Sequence, residues 1–216
     1  MDIRSKLIRT GSYLLQNNLA WGNSGNMSAR CSENHMIMTG SGTDMGDLTS
    51  DDFVLVNIAS QEWEGTKKPS KEIPMHRAIY LNRPDANVIL HASPIWSTLI
   101  ACSEQTVESK LFIESMYYLE SISEVDYFHP GSTALGEGVA RAAKEANVIF
   151  LKNHGIIVFD DSVEEAKMRI ETLEFTCKMI VMSRASNIPL SVLSDETARD
   201  FINNSGYKSK KKPDVK

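Results

Sequence analysis

The side chains best suited to chemistry belong to Glu72, His76, His91 and His154. Glu72 and His76 lie four residues apart in a segment whose pattern predicts a helix, so they share one face of it. A carboxylate in the first turn is also favoured by the helix dipole. This spacing suits a functional pair, and it equally suits a surface capping glutamate beside a buried, hydrogen-bonded histidine.

Two more histidines occupy places from which they could bind a metal. His91 ends an apolar strand, and His154 sits in a turn between two further strands. Histidines at strand ends can converge on one ion, because neutral imidazole is a common metal ligand. Spacing alone leaves open whether these two meet. His35 and His129 have no neighbours that indicate a role.

Three short polar loops could hold an anion: Gly25-Asn26, Ser41-Gly42 and Ser70-Lys71. Each offers backbone N–H groups beside a hydroxyl, amide or ammonium, a combination that binds phosphate, above all at a helix N-terminus. Each is also compatible with an ordinary turn or cap. The TGSG stretch at 39–42 is not a dinucleotide-binding fingerprint, because it lacks the GxGxxG pattern between a strand and a helix.

Apolar periodicity predicts the elements that position these residues. A helix is expected in the first twenty residues, and another runs from a cap at Ser70 to about Asn82. Pro94 could open the next helix, and a further one is expected over 132–146. Strands are predicted at 27–31, 35–39, 53–58, 87–91, 148–151 and 156–159.

The clearest helix covers residues 161–184. Its apolar stripe has alternating spacings of three and four residues, which indicates core or subunit-contact surface. The stripe consists of Val163, Ala166, Ile170, Leu173, Cys177 and Ile180. Because several strands follow one another without an intervening helix, we predict an α/β domain with a mixed, mostly antiparallel sheet covered by helices.

Composition bounds the class of protein. The 216 residues fit one domain, 1–205, followed by a basic, poorly ordered tail, 206–216, that contains Lys208, Lys210, Lys211 and Lys212. The net charge of -5 argues against a nucleic-acid surface. We expect neither a signal peptide nor a membrane span, because the first residues alternate charged with apolar side chains and no stretch approaches about 20 apolar residues. Three cysteines without CxxC spacing are typical of reduced thiols, which favours a cytoplasmic protein.

Five segments, in this order, resemble the class II aldolase family, also called the aldolase/adducin family. They are GNSGNMSAR (22–30), MIMTGSG (36–42), KPSKEIPMHRAIYLNRPDANVILH (68–91), PGSTALGEGVARAA (130–143) and LKNHGIIVF (151–159). The resemblance covers roughly residues 5 to 185. It implies a single three-layer domain, a divalent metal that is usually zinc, and a homotetramer with sites between subunits.

The resemblance also implies roles for individual residues. The family's phosphate contacts fall on Gly25, Asn26, Ser41, Gly42, Ser70 and Lys71. Its catalytic acidic residue falls on Glu72, and two of its metal ligands fall on His91 and His154. A tyrosine often serves as a second acid, for which Tyr117 and Tyr118 are both candidates.

Such an enzyme would be a lyase that cleaves a carbon–carbon bond of a phosphorylated sugar or sugar acid through a metal-stabilised enediolate, with Glu72 moving the proton. Epimerisation uses the same residues, and a non-catalytic adducin-like oligomerisation module is the alternative from another class.

Two positions depart from the family pattern. The usual His-x-His at the strand end is His91-Ala92-Ser93 here, so Glu72 would have to supply the third ligand of a catalytic zinc. Lys71 stands where sugar aldolases often have serine. Its charge could hold a phosphate or a substrate carboxylate, and family members that decarboxylate sugar-acid phosphates can carry a similar PSKE stretch.

Overall fold

An eight-stranded sheet forms the centre of the protein in the computed structural model, which describes residues 2–207. Its strands are β1 (Asn26–Arg30), β2 (His35–Thr39), β3 (Phe53–Asn57), β4 (Trp63–Glu64), β5 (Val88–Ala92), β6 (Ile122–Val125), β7 (Val148–Leu151) and β8 (Gly155–Asp160). They lie in the order β4-β3-β2-β1-β5-β8-β7-β6. The β6–β7 pairing is parallel and the other pairings in this sheet are antiparallel, which confirms the predicted mixed, mostly antiparallel sheet.

Helices cover both faces of the sheet. They are α1 (Ile3–Gln16), α2 (Ile73–Asn82), α3 (Ile95–Ala101), α4 (Ile113–Tyr118), α5 (Thr133–Ala142), α6 (Val163–Ser186) and α7 (Asp195–Asn204). Helices α2 and α5 pack on one side, which we call the α2 face, while α1, α3, α4 and α6 pack on the other, the α6 face. The described residues therefore form the three-layer α/β domain that the family resemblance implied.

Strand β5 contributes side chains to the cores on both faces of the sheet. Successive side chains of a strand point to opposite sides, so Val88, Leu90 and Ala92 join the core under α6 while Ile89 joins the core under α2. His91 shares the direction of Ile89 and therefore points toward α2. Since β5 lies between β1 and β8 in the middle of the sheet, His91 is only 2% exposed.

Most predicted helix starts are confirmed, but the predicted N-cap of α2, Ser70, is wrong by two residues. Ser132 caps α5 through its hydroxyl, which accepts a hydrogen bond from Leu135 N at 3.1 Å. Ser70 is not the N-cap of α2, and its N–H donates to Thr39 O at the end of β2. The helix begins at Ile73 after the N-cap residue Glu72, and Pro74 fits its first turn because no N–H is needed there.

The apolar stripe of α6 belongs to the core of the chain itself. Its six residues are at most 4% exposed, and all of them except Ile180 belong to the hydrophobic core under the helix. A different set, Met168, Phe175 and Met182, repeats every seven residues on the outer side of α6 and is 38–56% exposed. The predicted stripe therefore stabilises the domain, and a subunit contact on this helix would use the outer set.

Four described elements, β4, β6, α4 and α7, were not predicted from the sequence. The three cysteines are free: Cys31 and Cys102 are exposed and Cys177 is buried. None of the helices within residues 2–207 combines the length and the apolar character needed to span a bilayer. The predicted tail falls almost entirely on residues 208–216, which lie outside the described residues.

Candidate metal centre

Glu72, His91 and His154 come together although they belong to three separate parts of the chain. Glu72 Oε2 lies 3.3 Å from His91 Nε2, and Glu72 Oε1 lies 3.3 Å from His154 Nε2. The two imidazole rings meet edge to face with centroids 4.8 Å apart. One carboxylate is thus held between two imidazole nitrogens, as the metal prediction requires.

The backbone places each of these side chains. Glu72 occupies the N-cap of α2, His91 lies on β5, and His154 lies in the turn between β7 and β8. That turn approaches β5 closely, because a Cβ atom at Gly155 would lie 2.6 Å from Ala92 O and 2.7 Å from Ser93 Oγ. Glycine at 155 therefore allows the His154 turn to close onto the end of β5.

The hydrogen bonds of His91 show which of its ring nitrogens carries the proton and which one faces the Glu72 carboxylate. His91 Nδ1 lies 2.9 Å from Ile156 O. Because a carbonyl oxygen can only accept, Nδ1 carries the proton of the neutral ring and Nε2 presents a lone pair to Glu72. Burial lowers the pKa of His91, an effect that the Glu72 charge opposes and His154 reinforces, so the ring is neutral at pH 7.

Glu72 is ionised in this setting. Burial raises the pKa of its carboxyl, but the nearby side chains of His154, His91 and Asn26 outweigh burial and lower the pKa below its usual value. The site therefore holds a carboxylate facing a lone pair of His91, which is an arrangement that a cation would stabilise.

The three residues fit a divalent ion by their separation and by their unsatisfied atoms. Two ligands about 2.0–2.1 Å from a tetrahedral ion lie about 3.3–3.4 Å apart, and both carboxylate–imidazole separations are 3.3 Å. The candidate ligand atoms all lie within 4.8 Å of one another. Glu72 Oε1 is buried and makes no hydrogen bond within residues 2–207, which a metal ligand atom would explain.

Ser93 does not join this group of ligands. Its hydroxyl donates to the backbone carbonyl of His154 at 3.1 Å. The serine that stands in place of a family histidine therefore ties the His154 turn to the end of β5. No local pattern indicates this contact, because Ser93 and His154 are distant along the chain.

The three predicted anion loops lie around the start of α2. The Ser41 N–H donates to Lys68 O at 2.8 Å, and Gly40 pairs with Pro69, so the second and third loops are joined. Gly25 has a φ of 85°, and a Cβ atom there would lie 2.5 Å from His91 O. All three loops are thus next to residues of the candidate metal centre.

The candidate phosphate contacts differ in what they can offer. Ser41, Gly42 and Lys71 are exposed, whereas Ser70 is buried and its hydroxyl accepts from Glu72 N at 3.3 Å. Asn26 is 5% exposed, and its side-chain amide is bonded to Glu72 and His76. A phosphate contact of Asn26 would therefore use its backbone.

The two candidate tyrosines lie on the other side of the sheet. Tyr118 is 1% exposed in the core under α6, where its hydroxyl donates to Glu165. Tyr117 packs beside it and against Tyr207. Glu72 and His91 lie on the α2 face, so the structure of one chain does not bring either tyrosine to them.

A family model, related sequences and a solved structure all indicate the same protein family for this chain. A family described as Class II Aldolase and Adducin N-terminal domain matches residues 5–181. The 3-oxo-tetronate 4-phosphate decarboxylase of Escherichia coli K12 is 30% identical over 183 residues, which is 83% of this chain and 86% of that protein. The L-fuculose phosphate aldolase of Methanococcus vannielii is 31% identical over 186 residues, covering 85% of this chain and 98% of its own. A solved structure of L-fuculose 1-phosphate aldolase has a TM-score of 0.86 at 26% identity and covers 95% of this chain and 97% of that one.

Proposed function

Because the chain belongs to the class II aldolase and adducin family, we propose that it is a metal-dependent lyase. Its reaction cleaves a carbon–carbon bond in a small phosphorylated sugar or sugar acid, by aldol cleavage or decarboxylation. The observation that carries the proposal is the Glu72 carboxylate, held 3.3 Å from both His91 Nε2 and His154 Nε2. Relatives named as a decarboxylase and as an aldolase, each matched over most of its length, support a lyase.

Glu72, His91 and His154 would hold a divalent metal. When bound, the metal supplies a Lewis acid that polarises an oxygen of the substrate. We propose zinc, because two imidazole nitrogens and one carboxylate oxygen form a ligand set that suits it and leave a position open.

The protein's own groups bind the substrate and move its proton. The exposed Ser41 and Gly42, with Ser70 and Lys71, would bind the phosphate at the start of α2. In aldol cleavage the ionised Glu72 takes the hydroxyl proton as the carbon–carbon bond breaks. The electron pair stays on the neighbouring carbon, which then takes the proton back from Glu72. Because the pKa of Glu72 lies below its usual value, the side chain is ionised at neutral pH and can accept a proton.

An acid substrate is supported by Lys71. This lysine precedes the catalytic Glu72, is exposed, and makes no ion pair with the residues that the structure describes. Its ammonium could pair with a substrate carboxylate. Decarboxylation would break the bond to that group, release carbon dioxide and leave a carbon that must take up a proton.

We also propose a homotetramer in the cytoplasm. The exposed set Met168, Phe175 and Met182 on the outer side of α6 offers an apolar surface for a second copy. The three free cysteines agree with a reducing compartment. Light scattering of the purified chain should give four times the chain mass, and a monomer at micromolar concentration would contradict the assembly.

The function is tested by metal content and turnover together. The purified chain should hold one divalent ion, and removing the ion with a chelator should abolish cleavage of L-fuculose 1-phosphate or decarboxylation of 3-oxo-tetronate 4-phosphate until zinc is restored. His91→Ala and His154→Ala should lose both metal and turnover, whereas the control His35→Ala should keep both. A folded chain that binds no metal and cleaves neither substrate would favour the non-catalytic module. Interconversion of epimeric sugar phosphates without cleavage would assign the epimerase alternative.

A further inference from the structure

A chain of buried side-chain hydrogen bonds leads from Tyr80 to the candidate base. Tyr80 OH lies 2.9 Å from Ser28 Oγ, which lies 2.7 Å from His76 Nδ1. His76 Nε2 lies 2.6 Å from Asn26 Oδ1, and Asn26 Nδ2 lies 2.6 Å from Glu72 Oε2. None of these five residues is more than 7% exposed, so water competes little for their bonds. The resemblance to the family assigned no role to Ser28, His76 or Tyr80.

The direction of every bond follows from the end at Glu72. An ionised carboxylate can only accept, so the amide of Asn26 must turn its NH₂ group to Glu72 and its oxygen to His76. An amide oxygen also only accepts, so His76 donates from Nε2–H. In the neutral ring Nδ1 is then an acceptor, and Ser28 must donate to it.

The hydrogen bond of Tyr80, at the other end of the chain of bonds, requires the same donor direction for an independent reason. Within residues 2–207, the hydroxyl of Ser28 is the hydrogen-bond partner of the Tyr80 hydroxyl. A buried O–H without an acceptor costs about 1–3 kcal/mol, so Tyr80 donates to Ser28. The single proton of Ser28 is therefore left for His76 Nδ1. Both ends assign neutral His76 with its proton on Nε2, and every donor points toward Glu72.

This direction gives the chain of bonds a mechanical consequence at Glu72. Glu72 is the N-cap residue of α2, and its carboxylate makes no capping hydrogen bond to the helix. Asn26 binds only one of its oxygens, Oε2, and leaves Oε1 without a hydrogen bond among the described residues. The orientation of the carboxylate between His91 and His154 thus depends on how firmly the Asn26 amide is held, and His76 holds it.

We propose that His76 is a positioning residue of the lyase, which fixes the Asn26 amide through Nε2–H and thereby orients the Glu72 carboxylate toward its metal-binding partners. This inference rests on the proposed function. A purely structural role would instead make His76 a hydrogen-bonded core residue whose replacement changes stability alone. The imidazole of His76 makes one hydrogen bond with Ser28 and one with Asn26. The two roles predict different results for variants that keep one of these hydrogen bonds and lose the other.

The matched pair is His76→Gln and His76→Asn. Glutamine carries its NH₂ group as many bonds from Cα as His76 Nε2 and can still donate to Asn26. Asparagine places its oxygen where Nδ1 stands, so it can accept from Ser28 but does not reach Asn26. Both variants put an amide in the same buried position, which makes each the control for the stability effect of the other.

The expected result is a selective loss in His76→Asn. Removing a group that orients a metal ligand typically costs about 10–100-fold in metal affinity, so zinc binding measured by competition with a chelator should weaken by that factor. His76→Gln should bind zinc close to the wild-type affinity. In turnover, kcat should fall in His76→Asn with little change in KM, because Glu72 acts on the reacting atoms. Equal metal affinity and kcat in the two variants would overturn the proposal.

A measurement on the wild-type protein covers the case in which the variants do not fold. Nitrogen-15 spectra of the histidine-labelled, metal-free chain report which ring nitrogen is protonated. We expect His76 to be neutral with the proton on Nε2, and a proton on Nδ1 or a doubly protonated ring at neutral pH would overturn the inference. If the wild-type protein binds no metal but His76 shows this tautomer, the proposed function fails while the assigned bond direction stands. If the wild-type protein binds metal and turns over while the two variants behave alike, the positioning role alone fails.

Discussion

The two faces of the sheet bury polar groups in different ways. On the α6 face, Thr176 donates to the carbonyl of Thr172 one turn earlier in the same helix, and Ser115 donates to Phe112 O three residues away. On the α2 face, Asn26 of β1 bonds His76 of α2 and also Glu72, which lies beside His91 of β5. Other buried groups of the α6 face join helices, since Ser97 donates to Glu174 and Tyr118 donates to Glu165, both on α6. Only the network of the α2 face, among the described residues, reaches the candidate metal centre.

From this difference we expect the buried polar groups of the α6 face to contribute to stability, and those of the α2 face to contribute to catalysis. A hydroxyl bonded within its own helix removes a buried, unsatisfied donor and has no further consequence. A network between elements fixes side chains relative to one another, which a catalytic centre requires. Substitutions on the α2 face should therefore change kinetics, and those on the α6 face should change the free energy of unfolding.

The largest expected effect is that of Glu72→Gln. Glutamine keeps the shape of the side chain but cannot take up the substrate proton, and general acid–base catalysis contributes about 10²–10⁴-fold. We expect kcat/KM to fall by that factor in a steady-state assay. Glu196→Gln, an exposed substitution on α7, is the control and should leave kcat/KM unchanged. Wild-type turnover by Glu72→Gln would place the catalytic base elsewhere.

Leu173→Ala tests the opposite face. Leu173 is completely buried under α6, and removing such a side chain typically costs about 2–5 kcal/mol of unfolding free energy because a cavity remains. Urea denaturation should show that loss, while kcat of the folded fraction stays at the wild-type value. Met168→Ala, on the exposed side of the same helix, should change stability much less. A large change of kcat in Leu173→Ala would mean that the two faces are coupled.

Lys71→Ser should change kinetics without changing stability. A charge-assisted contact contributes about 1.5–3 kcal/mol, so losing a bond to a substrate carboxylate should lower activity on sugar-acid phosphates about ten- to a hundredfold. Activity on neutral sugar phosphates should fall far less. Lys68→Ser, in the same exposed loop, is the matched control. Equal losses on both substrate types would instead make Lys71 a phosphate contact, and unchanged kinetics on every substrate would end the acid-substrate role of Lys71.

The smallest effect is expected for Ser93→Ala. The substitution removes one hydrogen bond, from Ser93 Oγ to His154 O, which is worth about 0.5–1.5 kcal/mol. Denaturation of the metal-free protein should show a loss of this size. Ser93→Thr keeps the hydroxyl and should retain more of the stability than Ser93→Ala. If Ser93→Ala matched the wild type, the hydroxyl would not hold the His154 turn.

Local sequence patterns predict most of the helices and strands. The short apolar run of β2 and the three-and-four spacing on α6 are local patterns, and both elements lie where those patterns predict them. Caps are local as well, so Ser132 and Pro94 marked the starts of α5 and α3 correctly. The four-residue strand β6 is too short to show a periodicity. Helix α7 is amphipathic, so its pattern was present in the sequence although we did not predict the helix.

The candidate site depended on tertiary structure much more strongly. The residue types suggested a metal centre, but only the order of the strands places His91 on β5 next to the turn that carries His154. The stripe of α6 could be core or interface until the packing showed that the sheet covers it.

The hydrogen bonds of Asn26, Ser28 and Ser93 are made with partners distant in the chain. Asn26 and Ser28 are two residues apart on β1, so their side chains point to the same side of the sheet. This shared direction follows from the spacing in the sequence. Their partners could not be read from it, because α2 follows some fifty residues later and reaches β1 only through packing. Local patterns fix the direction of a side chain within its element, while its hydrogen-bond partner is fixed by which elements meet, and that is a property of the folded chain.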